Sequence, residues 1–263
     1  MSDSGVEGRV VIITGGGGAI GRGLVRHMGR AGAKVVVAEW KQDLLDAAVA
    51  ELEAEDIPCL GVLCDVSKHD SINAMVEQTV SKFNRVDALV NNAMTLQDQI
   101  PLVDLTEQAL DLSLVSGVKG TLWGMQAVYP HMKKAGWGRI VNVGSSAGLI
   151  GFKGFGAYAA AKEAIRALTR TAAREWFEDG IVVNLYCPVA MEVKGRPRGI
   201  VANPDPHDYR TIAINIMSAL SPVLTDGDPE NDLAPTVAFL CSDACRYLTG
   251  QTLTLDGGVY AFA

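Results

Sequence analysis

The sequence predicts an α/β fold built on a doubly wound parallel sheet of about seven strands. Three observations predict it: short β-branched runs alternate with longer helical patterns, the runs are apolar on both faces, and no repeat or linker divides the chain. Alternation on this scale is typical of βαβ units, and strands that helices cover on both faces are apolar on both sides. The 263 residues are therefore expected to form a single Rossmann-type domain.

The predicted strands follow one another at regular intervals, at 9–14, 34–39, 59–64, 87–91, 139–143, 181–187 and 252–256. Between them, apolar spacing and end signals predict helices over 20–31, closed by Gly32, over 68–83, with Ser67 as N-cap, and over about 157–177. The stretch 189–229 breaks this rhythm with five prolines, Pro197, Pro204, Pro206, Pro222 and Pro229. A loop of that length in a compact domain is typical of a functional lid.

Composition and charge exclude several classes of protein. A net charge of −7 and a pI near 5.1 argue against nucleic-acid or anionic-membrane partners, which need a basic face. The N-terminus lacks the features of a signal peptide and no segment offers about 18 consecutive apolar residues, so a soluble, cytoplasmic protein is expected. The five cysteines include no CxxC pair and are expected to be reduced, with Cys241 and Cys245 packed in the core rather than on a metal.

A glycine-rich stretch, Thr14-Gly15-Gly16-Gly17-Gly18-Ala19-Ile20-Gly21, lies between the first strand and the first helix. Strand, glycine turn and helix in this order let backbone N–H groups and the helix N-terminus face a pyrophosphate. A P-loop does not fit, because Arg22 and Gly23 stand where Lys and Ser or Thr would be needed. The stretch therefore predicts a dinucleotide site.

The second strand ends at Glu39, where a carboxylate can accept hydrogen bonds from the adenosine ribose hydroxyls. A 2′-phosphate within about 4 Å of that carboxylate would cost on the order of 4 kcal/mol per charge pair at an effective dielectric near 20. NAD is therefore predicted as the cofactor in preference to NADP. Lys41 and Arg22 are the nearby cations that would soften this repulsion.

The glycine turn resembles the T-G-x-x-x-G-x-G pattern of the short-chain dehydrogenase/reductase family, with Ala19 where the pattern has glycine. Asp65-Val66 resembles the family's adenine-flanking pair, and Asn91-Asn92-Ala93 resembles its N-N-A-G stretch, with Met94 replacing the glycine. The stretches 247–251 and 255–258 also resemble the family, which implies a homotetramer. The resemblance implies that these residues bind the cofactor: Gly15, Gly18, Ala19, Ile20, Gly21, Glu39, Asp65, Val66, Asn92, Ala93, Tyr158, Lys162, Pro188 and Val189.

The catalytic candidates are Tyr158 and Lys162, whose spacing of four places both on one face of a helix. A free tyrosine titrates near pH 10 and a neighbouring ammonium lowers that value, so Lys162 is expected to lower the pKa of Tyr158. The family resemblance implies that Lys162 also binds the nicotinamide ribose and that Ser145 orients the substrate oxygen. The prediction is an oxidoreductase that transfers a hydride between a nicotinamide cofactor and a secondary alcohol or ketone, with no metal.

Three departures from the family pattern concern the nicotinamide half of the site. Gly117 stands where the family has an asparagine that fixes a water linked to Lys162, and Ser116 or a repositioned water is the expected substitute. Val189 replaces a glycine, and Val193 replaces a threonine that holds the nicotinamide carboxamide. Substrate choice is expected to lie in 189–229, where polar side chains either meet the substrate or form a solvated surface: Arg196, Arg198, His207, Tyr209 and Arg210.

Two alternatives stay open at the sequence level. The departures just named suit an NAD-binding sensor or assembly subunit of the same fold with weakened catalysis. More remotely, 144–148 fits the G-x-S-x-G elbow of a serine hydrolase, with Ser146 as nucleophile, Asp179 as acid and His207 as base. That elbow needs a helix directly after it, and the glycine-rich stretch that follows is expected not to start one.

Overall fold

The computed structural model describes residues 5–95, 99–189, 205, 208, 211, 215 and 227–259. In that part, seven strands form one parallel sheet in the order β3-β2-β1-β4-β5-β6-β7. Each strand end lies within one residue of its predicted position. The strands are β1 (Val10–Thr14), β2 (Lys34–Glu39), β3 (Cys59–Leu63), β4 (Ala88–Asn91), β5 (Gly138–Val143), β6 (Ile181–Pro188) and β7 (Thr252–Leu255).

Helices connect the strands and confirm the predicted pattern. They are α1 (Ala19–Arg30), α2 (Gln42–Glu53), α3 (His69–Phe83), α4 (Glu107–Ser113), α5 (Gly120–Ala135), α6 (Ser146–Ile150), α7 (Gly156–Glu175) and α8 (Ala234–Leu240). The π-helical segment Leu114–Lys119 joins α4 to α5, so 107–135 form one continuous helical rod, called here the α4–α5 rod. Segments of this kind are frequent at functional sites.

The predicted N-cap of α3 is wrong. Lys68, not Ser67, occupies the N-cap position, and no side chain caps this helix. Ser67 instead donates its hydroxyl to Asp65 at 2.6 Å, and its backbone N–H donates to the same oxygen at 3.0 Å. A serine that can close this local turn with a preceding aspartate is withdrawn from capping.

The core lies on both faces of the sheet, because successive residues of each strand point to opposite sides. Val11 and Ile13 of β1 pack with Leu24 and Met28 of α1 in one buried cluster. Val10 and Ile12 lie in a second cluster, which includes Met132 of α5. Cys241 and Cys245 belong to the first cluster and are fully buried, as predicted. No helix within the described ranges is both long and apolar enough to cross a membrane.

The position of the site follows from the strand order. Successive strands are added outward from β1 toward β3, and the chain then returns to β4 on the other side of β1. In open sheets of this kind, ligands bind at the carboxyl ends of the strands where the order reverses. Thr14 ends β1 and Asn91 ends β4, so the crevice predicted to receive a ligand lies above these two residues.

Candidate active site

The glycine turn closes against the first turn of α1. Gly15 has a φ of +66°, a conformation that side chains disfavour. A Cβ on Gly21 would lie 2.0 Å from the carbonyl oxygen of Gly15, so only glycine fits there. Gly18 is the N-cap of α1, and Ala19 begins the helix with its side chain exposed, so the added methyl costs no packing. Ile20 is half-buried and packs on the first core cluster.

Glu39 is held beside this turn by backbone groups. Its carboxylate accepts hydrogen bonds from the N–H groups of Gly17 at 3.3 Å, Trp40 at 3.0 Å and Lys41 at 3.2 Å. The residue is only 3% exposed. The Glu39 carboxylate at the end of β2 is therefore fixed against the glycine turn.

The two cations expected to soften the charge of Glu39 are engaged elsewhere. Arg22 Nε donates to Glu51 at 2.8 Å, which ties α1 to α2. Lys41 Nζ lies 5.3 Å from the centre of the Trp40 ring. Among the described residues, backbone N–H groups are thus the hydrogen-bond donors to the Glu39 carboxylate. These dipoles stabilise the carboxylate, but they supply no positive charge that could bind the 2′-phosphate of NADP.

The Asn91-Asn92-Ala93 stretch lies against the glycine turn. Asn92 Nδ2 donates to the carbonyl oxygen of Thr14 at 2.9 Å, and the backbone N–H groups of Asn92 and Ala93 each donate to Thr14 Oγ1 at 3.0 Å. Asn91 is buried and donates to Asn142 Oδ1 at 2.9 Å. The structure thereby brings together predicted cofactor residues that are almost 80 positions apart.

The other predicted cofactor residues end their strands at the same edge. Asp65 and Val66 follow β3, and Asp65 Oδ2 lies 3.3 Å from Lys68 Nζ. Pro188 ends β6, and Val189 is buried, with its N–H donating to Leu255 at 3.0 Å. Val193 and the lid side chains Arg196, Arg198, His207, Tyr209 and Arg210 lie outside the described residues.

The three predicted catalytic residues meet at the carboxyl end of β5. Tyr158 and Lys162 lie in the first turns of α7, with Lys162 Nζ 5.5 Å from the centre of the Tyr158 ring. Lys162 is 4% exposed, and its Nζ donates to the carbonyl oxygen of Val143 at 2.8 Å. Ser145 caps α6 by accepting from the N–H of Ala147 at 3.1 Å, and it is hydrogen-bonded to the Tyr158 side chain.

Burial dominates the titration of this pair. It lowers the pKa of Lys162 to about 8, against a smaller opposite influence of Cys187. Burial also raises the pKa of Tyr158, and the hydrogen bond from Ser145 acts in the opposite direction. The prediction of a lowered pKa for Tyr158 is therefore wrong for this structure, because desolvation of the phenolate outweighs the groups that stabilise it.

Sequence reasoning missed two groups beside the pair. The Val143 carbonyl that binds Lys162 is a backbone group, and no side-chain pattern marks it. Cys187 lies in β6, and it is buried close enough to Lys162 to influence its pKa. The position of Cys187 near the end of β6 was the available signal, because β6 pairs with β5 and neighbouring parallel strands end at the same edge of the sheet.

Ser116 does not replace the missing asparagine at position 117. It is buried, donates its hydroxyl to the carbonyl oxygen of Leu112 at 2.8 Å, and accepts from the N–H of Thr95 at 3.2 Å. The first bond lies within the α4–α5 rod, and the second fastens the rod to the segment after β4. The hydroxyl is therefore engaged away from Lys162.

The hydrolase alternative fails on geometry, although one argument against it was wrong. A helix does start at Ser146, because Ser145 caps it and Gly151, at a φ of +74°, ends it after five residues. Ser146 is nevertheless buried. Asp179 precedes β6, at the opposite edge of the sheet, where it accepts from the Tyr129 hydroxyl at 2.8 Å. His207 lies outside the described residues.

Comparisons with known proteins agree with this geometry. The family model described as short chain dehydrogenase matches residues 9–197. The 12alpha-hydroxysteroid dehydrogenase of a Clostridium species is 36% identical over 260 residues, which cover 96% of this chain and 97% of that protein. The 3-oxoacyl-(acyl-carrier-protein) reductase FabG of Staphylococcus epidermidis is 32% identical over 250 residues, covering 95% and 98%.

Among solved structures, NAD+-bound xylitol dehydrogenase superposes with a TM-score of 0.86 at 27% identity, covering 96% of this chain and 99% of that one. The chain therefore belongs to the short-chain dehydrogenase/reductase family of oxidoreductases.

Proposed function

We propose that this protein is an NAD-dependent dehydrogenase or reductase that interconverts a secondary alcohol and its ketone. One observation carries the proposal: Ser145, Tyr158 and Lys162 meet at the carboxyl end of β5, next to the ends of β4 and β1 that carry Asn92 and the glycine turn. A proton-transfer group is thereby placed beside a dinucleotide cradle. That combination is what hydride transfer at a carbinol carbon requires.

The residues at this edge suit a dinucleotide from end to end. The glycine turn and the N-terminus of α1, which has no acidic residue in its first turn, suit the pyrophosphate. Glu39 suits the adenosine ribose, Asp65 and Val66 the adenine, and Asn92, Ala93, Pro188 and Val189 the nicotinamide half, with Tyr158 and Lys162 at its ribose. When bound there, the oxidised cofactor supplies a hydride acceptor.

The side chains of the chain itself handle the substrate oxygen and its proton. In the oxidative direction, the Ser145 hydroxyl orients the substrate hydroxyl, and the Tyr158 phenolate oxygen takes its proton as the carbinol carbon loses a hydride, which leaves a ketone. In reduction, Tyr158 returns that proton to the carbonyl oxygen. Lys162 Nζ donates to the Val143 carbonyl and lies 5.5 Å from the centre of the Tyr158 ring, and in this proposal its positive charge favours the phenolate while the proton is away.

A single substitution tests this assignment. Tyr158→Phe should remove most turnover and leave NADH binding nearly unchanged, because the lost hydroxyl acts on the substrate proton. Turnover is measured with a hydroxysteroid, xylitol, a cyclic diol and a 3-oxoacyl thioester, and NADH binding by calorimetry. Phe155→Leu, on the ring that packs edge-on against Tyr158 at 6.2 Å, is the matched control. Equal activity in Tyr158→Phe would refute the role given to the phenol.

Substrate class and assembly extend the proposal. The relatives are named for a hydroxysteroid, a 3-oxoacyl group and xylitol, which share a carbinol or carbonyl carbon. We place the choice among such substrates in a lid at 189–229 of a single domain. A homotetramer is proposed from the family likeness of the C-terminal segments, and the cytoplasm from five free cysteines, which suit a reducing compartment.

A weakened enzyme that serves as an NAD sensor is the second candidate. Gly117 favours it, because no side chain at that position can hold a water for Lys162. Binding of NADH by the parent protein, with no turnover across the same substrates, would select this alternative.

A further inference from the structure

Two departures from the family pattern, Met94 and Gly117, are neighbours in the structure. A Cβ atom on Gly117 would lie 3.1 Å from both Sδ and Cε of Met94, closer than such contacts normally allow. The end of the methionine side chain therefore occupies the space into which any side chain at position 117 would project. Met94, which replaces the family glycine after β4, thus fills the space left by Gly117 in the α4–α5 rod.

This space adjoins the helix that carries the catalytic pair. The Cβ of Ala161, which directly precedes Lys162 on α7, lies 3.5 Å from the same position on Gly117. Ala161 is fully buried, and Lys162 is 4% exposed, with its ammonium on the Val143 carbonyl. The Met94 thioether thus lies at the junction of the α4–α5 rod and α7, beside the residue of α7 that directly precedes Lys162.

A thioether and an amide do different things at such a junction. An asparagine side chain offers two donors and an acceptor, and it can hold a water molecule in place. A thioether is a weak acceptor that fills irregular gaps between apolar groups. A water also needs room and two to four polar partners, whereas the described atoms nearest to this space belong to the Met94 thioether and the Ala161 methyl.

Resting on the function proposed above, we propose that Met94 is a positioning residue that takes the place of the family asparagine and closes the rod side of Lys162 to water. The Tyr158–Lys162 pair then exchanges its proton with solvent through the substrate cleft and not through the α4–α5 rod. Met94 acts through Lys162 and touches neither substrate nor cofactor in this scheme.

A stability measurement on the cofactor-free protein tests this without substrate. The free energy of unfolding is measured from pH 6 to 11 for the parent and for each Met94 variant, with and without Lys162→Met. The pH dependence of the difference that Lys162→Met makes gives the pKa of Lys162 in that parent or variant. Tyr158 on α7 and Cys187 on β6 are the titratable groups recorded beside Lys162, and all backgrounds keep them.

Met94→Gly should admit water and shift the Lys162 titration upward toward its ordinary range. Met94→Leu, which keeps the apolar volume, should leave it where the parent has it. An unshifted titration in Met94→Gly, or an equal shift in Met94→Leu, would overturn the proposal. Met94→Ala is read by the same two criteria if Met94→Gly does not fold.

A double-mutant cycle tests whether Met94 and a side chain at position 117 compete for the same space. Gly117→Asn alone should lower Tm, because its Cβ meets Met94, whereas in the Met94→Gly background it should lower Tm less or raise it. Gln126→Asn, at an exposed helical position in the middle of α5, is the control for placing Asn on this rod. Additive Tm shifts would contradict the claim that Met94 occupies the space of a side chain at position 117.

In turnover assays, Met94→Gly should lower kcat with little change in KM, because the change acts on proton handling and not on binding. Recovery of kcat in the Met94→Gly/Gly117→Asn double variant would support the exchange, and no recovery would count against it. If the parent neither binds NADH nor turns over, the proposed function fails, while the titration measurement still decides whether Met94 seals Lys162.

Discussion

At the residue scale, Lys162 carries a buried charge at a cost in stability. Within the part of the chain that the structure describes, its ammonium donates to one acceptor, the Val143 carbonyl, and burial holds its pKa at about 8, below the ordinary value of 10.5. A buried charge with so few partners is destabilising, as is common where a site requires it. The unfolded chain therefore holds this proton more tightly than the folded protein does.

The sign of the pH dependence follows from that difference. Between pH 8 and 10.5 the unfolded state binds more protons, so stability rises with pH through this window, and the full cost is present below it. Lys162→Met should stabilise the cofactor-free protein at pH 7 by about 3 kcal/mol, with the gain vanishing toward pH 10.5. Urea unfolding at several pH values measures it, with the exposed Lys153→Met as control. A gain that does not depend on pH would contradict this account.

Glu39 concerns the choice of cofactor. Its carboxylate faces the glycine turn, and its recorded hydrogen-bond partners are backbone N–H groups. Glu39→Ala should narrow the ratio of kcat/KM with NAD to that with NADP, because it removes the charge that repels a 2′-phosphate. Glu51→Ala, which frees Arg22 without touching Glu39, is the comparison. An unchanged ratio in Glu39→Ala would remove this residue from cofactor choice.

At the scale of elements, the glycine turn and α1 form one unit. A methyl on Gly21 would meet the Gly15 carbonyl at 2.0 Å, whereas a methyl on Gly18 would meet the same oxygen at 3.3 Å and no other atom of the described residues within 4 Å. Gly21→Ala should therefore lower both Tm and NADH affinity. Gly18→Ala should leave Tm near the parent value while weakening NADH, as measured by calorimetry. Equal Tm values for the two variants would show that the turn is looser than the structure has it.

Buried polar side chains join three elements behind the catalytic pair. Asn91 of β4 donates to Asn142 of β5, which donates to Thr169 of α7 at 2.9 Å. Breaking one of these bonds would leave a buried polar group without its partner, which costs free energy. The series of hydrogen bonds therefore holds α7 in a fixed position against the sheet. Lys162 lies two turns before Thr169 on the same helix, and its reach to Val143 depends on that register.

At the scale of the whole molecule, the edge opposite the site is held by a cluster around Trp137. The guanidinium carbons of Arg9 and Arg139 lie 3.8 and 4.3 Å from its ring centre, and its Nε1 donates to Asp243 at 2.7 Å. Arg9 also pairs with Asp243 at 2.8 Å. The cluster thereby connects the start of β1, the start of β5 and the segment after α8.

Loss of that ring should affect stability and not the site. Trp137→Ala should cost about 3 kcal/mol, because it removes the packing of a half-buried ring, its hydrogen bond to Asp243 and two cation–π interactions. At roughly 2–4 °C per kcal/mol for a chain of this size, Tm should fall by about 6–12 °C, with NADH affinity unchanged. Trp40→Ala, at an exposed tryptophan, is the stability control. A loss of NADH affinity in Trp137→Ala would show that the two edges are coupled.

The strands and most of the helices were predictable from sequence patterns, and so were the residues proposed for the site. β-branched runs, the glycine turn and the four-residue spacing of Tyr158 and Lys162 are local patterns, and local patterns reflect what the backbone permits. The N-cap of α3 and the start of α6 escaped this reading, because each depends on which serine hydroxyl finds which backbone or side-chain partner nearby.

The pKa values and contacts within the candidate site could not be predicted before the fold was known. The raised pKa of Tyr158, the Val143 carbonyl beneath Lys162 and the Met94 side chain over Gly117 all depend on groups distant in sequence becoming neighbours. Burial and distance set those effects, and both arise only when the sheet and helices pack. A sequence pattern can predict which side chains take part, but the pKa of each depends on its burial and on its neighbours in the folded protein.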